Sequence, residues 1–251
     1  MKKFFESFSY SGSILLYMVL APILLFLRTL RCLRHLDKVV YCLPDILCFD
    51  EHWTKLFLYP FILILVINIL KDNFRAGVIL RYRKAEKLML HLLAKLATFS
   101  FLVSVYQTLI TIALGLHYAQ YQCNWDSSDG LPFFLVGAIV KDKPSTVTII
   151  LAYFFSVFIT TMVIGMMVTA LWWLTETPIT GFVCMVALLS VETGVNIYIH
   201  VLFSVVDLQP ENVYMWGISP WNIVFYPVIL LLIFFVAGIL IIKKRDFMRI
   251  N

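Results

Sequence analysis

Charge is what this chain has least of. Asp, Glu, Lys and Arg together make up 14 % of its 251 residues, where a soluble globular domain carries about a quarter. A chain this poor in charge cannot clothe a sizeable water-facing domain. It also lacks a GxxxxGK[ST] loop to cradle nucleotide phosphates, so it does not hydrolyse ATP by itself. There is no HExxH pair, and Ser219 lacks a GxSxG turn, which leaves zinc-dependent and serine hydrolysis without their residues. The five cysteines show no CxxC spacing for zinc. No cofactor or metal is expected in this chain. The net charge of +5 reads as membrane topology and not as a nucleic-acid surface.

What the sequence has is apolar residues, 61 % of the total, gathered in blocks. A spanning helix needs about 20 mostly apolar residues. Six blocks meet that need, at about 12–30, 54–70, 88–116, 146–174, 179–206 and 222–242. The expected fold is therefore all-α: a polytopic membrane protein of six transmembrane helices in a single domain over 1–251, both termini cytoplasmic. Lys2 and Lys3 precede the first run, but Arg28, Arg31 and Arg34 follow it in place of a cleavage site, so a retained anchor is expected. Leucines and arginines spaced three apart over Leu27–Leu36 predict an amphipathic extension in the interface. Residues 37–53 read as a polar connection, and 207–221 as an outer segment broken by Pro210, Gly217 and Pro220. Lysine and arginine counts favour an inner side with Lys71–Lys87, Lys243 and Lys244, although Arg28–Arg34 opposes that orientation. Cys32, Cys42, Cys48 and Cys123 then lie outside or near the outer surface. Two disulfides or free thiols are both open there.

Three groups of residues carry possible chemistry. The first is the basic stretch at about 73–87, with Arg75, Arg81, Tyr82, Arg83 and Lys84. A helix there would lie along the inner surface, its apolar side in lipid and its cations toward lipid phosphates or a protein partner. A plain positive-inside anchor would need the same cations. The second is Glu192, Asn196 and His200, four apart on the fifth span and so on one helix face. An ionisable group at that depth faces the bundle interior or water. It serves either a proton relay or polar-substrate lining, or the interhelical hydrogen bonding that orders a bundle. The third is Ser100, Ser104, Gln107, Thr108 and Thr111 on the third span. That stripe fits helix packing, with Gln107 its one candidate for a translocation path.

The order of these elements resembles the permease subunits of type-two ABC exporters, the class that includes bacteriocin and lantibiotic export and immunity permeases. Arg81–Lys87, RYRKAEK, looks like the basic-aromatic run of that family's coupling helix. Asp207–Trp221 matches the short outer helices between its last two spans in position and character. The resemblance implies a separate ATPase subunit holding ATP and Mg and docking at Arg75, Arg81, Tyr82, Arg83 and Lys84. It further implies a second permease chain, a cell-membrane location, and outward movement of a peptide or other amphipathic compound. The chain departs from the family in its short N-terminal segment and in the basic Arg28–Arg34. The residues alone also allow a proton-coupled transporter using Glu192 and His200, or a membrane scaffold or sensor.

Overall fold

The computed structural model describes residues 10–34, 39–48, 51–74, 82, 84–120, 123–137, 145–194 and 225–244. These are helical, with no strand among them. In chain order they form α1 (Tyr10–Leu33), α2 (Leu43–Cys48), α3 (Glu51–Leu70), α4 (Ala85–Tyr118), α5 (Leu131–Val136), α6 (Thr146–Thr175), α7 (Pro178–Gly194) and α8 (Tyr226–Lys244), with a 3-10 turn at Lys71–Phe74. Five helices are long and apolar enough to cross a membrane: α1, α3 with its turn, α4, α6 and α8. That is the pattern of a multi-pass membrane protein. α7 is apolar and shorter over its described residues, and the rest of the expected fifth span, like the outer segment 207–221, lies outside them.

α6 is the hub of the bundle. It packs against α2, α3, α4, α7 and α8, and 61 % of its most apolar window is buried against 17 % for α8. Both helices are hydrophobic all round, so burial follows position and not composition. The lipid-side residues of α8, such as Leu232, Ile233 and Leu240, are more than half exposed, as befits side chains whose solvent is hydrocarbon. α6 starts at Ser145, whose hydroxyl accepts from the Thr148 N–H at 3.1 Å. It stops where Glu176 turns left-handed at φ 62°, and Pro178 opens α7 at once. α4 meets α6 at Gly165, where an added Cβ would come 2.6 Å from a methyl of buried Leu96. A small residue at the crossing lets two backbones approach, the usual device of membrane helix packing.

The helix ends define two faces. The cap face carries the end of α1, α2, the end of α4, Cys123–Gly137 and the start of α6. The opposite, basic face carries Lys71–Phe74, the start of α4, the α6–α7 turn and the end of α8, where Lys243 pairs with Glu86. Phe74 stacks on Trp172 at 4.0 Å between centroids and leans on Trp173 at 4.6 Å. This ties the turn after α3 to the far end of α6.

Three expectations change. Leu27–Leu36 does not begin an interfacial helix: α1 runs unbroken through Leu33, and Arg28 is 2 % exposed. Leu25 and Cys32, one turn to either side of it, and the adjacent Thr29 are also buried, so that face of the helix packs inward. The connection 37–53 is not simply a polar loop, because every residue of α2 is buried. And the last residues of the stretch 73–87, from Ala85 on, belong to the next long helix, while most of the stretch lies outside the described residues. Lys84 is extended (φ −132°, ψ 133°), and α4 begins after it.

Candidate functional site

A polar seam runs through the bundle from the cap face, and it starts at α2. Cys42-Leu-Pro-Asp45 opens that helix with proline in its first turn and an acid at the third position. The Asp45 carboxylate reaches back to the Cys42 N–H at 2.8 Å, while the Asp45 N–H donates to the Cys42 carbonyl at 3.1 Å. This is the acidic half of a capping box, the third-position carboxylate bonding back to the cap N–H. The other carboxylate oxygen of Asp45 accepts from the Trp125 indole N–H at 2.8 Å, and Asp45 and Trp125 are both fully buried. At the far end of α2, Arg28 donates to the carbonyls of Ile46 (2.6 Å) and Leu47 (2.8 Å). An acid at the start and a cation at the end both suit the helix dipole. Charges buried this deeply survive because their hydrogen-bonding groups are engaged.

From Arg28 the seam passes to Tyr153 on α6. Its hydroxyl lies 3.5 Å from the guanidinium and 3.3 Å from Thr111 on α4. One turn along α4, the Gln107 amide donates to the Tyr17 hydroxyl on α1 at 2.9 Å. Tyr106 donates to the Met18 carbonyl at 2.7 Å. Nearer the basic face, Asn68 of α3 donates to Ser13 of α1 at 3.1 Å. The carbonyl oxygen of the Gln107 side chain and the hydroxyls of Ser100, Thr108, Thr160 and Thr161 are buried without a protein partner among the described residues. The third-span stripe thus lies buried on α4, largely along the α1 and α6 contacts, and Ser104 returns its hydroxyl to the Ser100 carbonyl at 2.7 Å. Gln107 is 0 % exposed and joins two helices.

A cleft of about 560 Å³ opens between α3, its turn and the first turns of α4. Lys71, Asp72, His91 and Lys95 line its polar end, and Ile69, Phe99 and Leu102 its apolar wall. Lys95 donates to Asn73 across it at 3.0 Å. Tyr82, half-buried, sets its ring 5.1 Å from that of His91, and Lys84 stands exposed beside the start of α4. The cleft is amphipathic in cross-section.

Of the residues singled out from sequence, Tyr82 and Lys84 lie together on the basic face, while Arg75, Arg81 and Arg83 lie outside the described residues. Glu192 is on α7 with its side chain outside them, and so are Asn196 and His200. Sequence reasoning missed Arg28, Asp45, Trp125 and Tyr153. A cation ending an apolar run and the Leu-Pro-Asp start of a helix were the available signals; nothing local announced that Trp125 would reach Asp45. His91 and Lys95, four apart on α4, were missed too. No protein-family model, no characterised protein and no solved structure matches the chain.

Proposed function

We propose that this chain is the membrane permease subunit of an ATP-driven ABC exporter, with six spans, both ends in the cytoplasm, and a home in the cell membrane. The basic segment between α3 and α4 would then face the cytoplasm and dock a separate ATPase carrying ATP and Mg, through Arg75, Arg81, Tyr82, Arg83 and Lys84. A second permease chain, identical or related, would complete the path, and membrane lipid would surround it. The permease itself makes and breaks no bonds.

One observation carries the reading furthest. The docking segment is anchored at both ends to the helices that would have to move. At its start Phe74 stacks on Trp172 of the central helix α6; at its end Lys84 leads directly into α4, a helix of 34 residues. At 1.5 Å per residue that helix is about 51 Å long, against a hydrocarbon core of about 30 Å. A push on the segment therefore reaches two packed helices, the differential contact that alternating states require. The cleft beside it, polar at one end and apolar along its wall, suits the entry of a peptide or other amphipathic compound.

The test is purification of the tagged chain from its own host in mild detergent, with identification of what accompanies it. An ATPase subunit in near-equal amount is the expected result. Reversing charge at Arg81 and Arg83 should abolish substrate-stimulated ATP hydrolysis while the protein stays inserted; wild-type stimulation in that variant would sink the docking assignment. A chain that purifies alone, and whose transport is lost in Glu192→Gln, would favour proton coupling through Glu192 and His200.

A further inference from the structure

Two cysteines meet in the cap. Cys42 caps α2 and is fully buried; Cys123 follows α4 and is half-buried. The Cys123 side chain is among the groups that act on the Cys42 thiol. Bonds that do not involve sulfur hold the two segments in register. Gln120 N–H donates to the Tyr41 carbonyl (3.2 Å) and Val40 N–H to the Asp129 carbonyl (3.0 Å). The Asn124 side chain donates to the Val40 carbonyl at 2.6 Å. Trp125, two residues past Cys123, is pinned to Asp45, three past Cys42. The two cysteines are thus held in adjacent segments by construction of the cap, with the backbone of Asn124 and Asp45 beside Cys42.

We propose that Cys42 and Cys123 are a disulfide-forming pair that staples the α1–α3 connection to the α4–α6 connection, by exchange with a small-molecule or protein disulfide on the cap side. Cys123, the more accessible, attacks one sulfur of the oxidant as its thiolate. This forms a mixed disulfide and releases one thiol. Cys42 then attacks the Cys123 sulfur, closing the bond and releasing the second thiol. The two cysteines lose two protons and two electrons, and the oxidant's disulfide becomes two thiols. Burial pushes the pKa of the Cys42 thiol up. The Cys123 side chain and the Asp45 carboxylate add to this against the two backbone N–H groups. Cys42 is therefore a poor target for an outside reagent and acts second, where its position beside Cys123 compensates for scarce thiolate. Closing the bond brings the two sulfurs to about 2.05 Å. The inference goes beyond the transport reading and does not depend on it.

The full chain, purified in mild detergent, is incubated with oxidised glutathione, denatured, and labelled with a polyethylene-glycol maleimide that adds visible mass at each thiol. Working on solubilised protein reads the pair whichever way the cap faces. Two of the five cysteines should refuse the label until reductant is added. Cys32→Ser, Cys48→Ser and Cys184→Ser should keep that two-thiol difference. Cys123→Ser should lose it, and Cys42→Ser should stop at one glutathione on Cys123, seen in the intact mass. Labelling of all five wild-type thiols before reduction overturns the proposal, as does a two-thiol difference that persists in Cys42→Ser or Cys123→Ser.

Discussion

At position 28 the run of apolar residues in α1 is interrupted by an arginine that does not turn to water. Its guanidinium fastens the last carbonyls of α2, and its hydrocarbon stem lies in the bundle. Replacing it by alanine leaves the Ile46 and Leu47 carbonyls buried without that donor, at about 1–3 kcal/mol each. Arg28→Ala should therefore unfold well below wild type in a thermal melt in detergent. Arg28→Lys should recover only part of the loss, since one guanidinium nitrogen serves both carbonyls while the other reaches the Tyr153 hydroxyl, and a compact ammonium has no second nitrogen for that reach. Gln107 asks a different question. If it orders the bundle, Gln107→Leu should lower the melting temperature, the cost of leaving the Tyr17 hydroxyl without its donor being about 1–3 kcal/mol. If it lines a path, transport should fall while the melt stays unchanged. Measuring both on one preparation separates the two roles.

Among the elements, α2 packs on α4 and α6 and is tied to the segment Cys123–Gly137 through Asp45 and Trp125. Gly130 is the tightest point within that segment. It is in an ordinary backbone conformation (φ −74°), so its need is for space. A Cβ there would strike the Asn124 carbonyl oxygen, with the Ser127 carbonyl 3.4 Å away. Because backbone must give, Gly130→Ala should cost about 1–3 kcal/mol, in the manner of overpacking. Gly115→Ala, which meets only a methyl of the Leu43 side chain closely, should cost less. Urea or thermal titration of both variants checks the order. At the opposite face, Phe74→Ala removes the stack on Trp172. Under the exporter reading it should weaken coupling between ATP hydrolysis and transport without dissociating the ATPase.

For the molecule as a whole, the prediction concerns sidedness. Lys87 and Ser128 are exposed on the basic and cap faces respectively. In a cysteine-free background, Ser128→Cys should react with an impermeant maleimide in intact cells, and Lys87→Cys only after the membrane is opened. The reverse pattern would invert the topology and remove the docking argument with it. The blocks of apolar sequence made the helical class legible, because a run of about 20 apolar residues has few fates other than a buried helix. The helices α3, α4, α6 and α8 lie over four of those blocks. Pattern alone misread Leu27–Leu36, since leucine and arginine three apart describe an interfacial helix and a span with one buried arginine equally well.

That ambiguity marks the boundary between the two kinds of information. Composition and periodicity determined that the chain is helical, that it suits a membrane, and which turns end which helices; these depend on short-range sterics and on transfer from water, which each segment carries with it. Which polar groups would be buried, and against what, was decided only by tertiary structure. Arg28 and Ile46, Asp45 and Trp125, and Cys42 and Cys123 are 18, 80 and 81 residues apart in sequence. A polar side chain in an apolar setting is stable only when its partner arrives, and that partner is supplied by the packing of other helices.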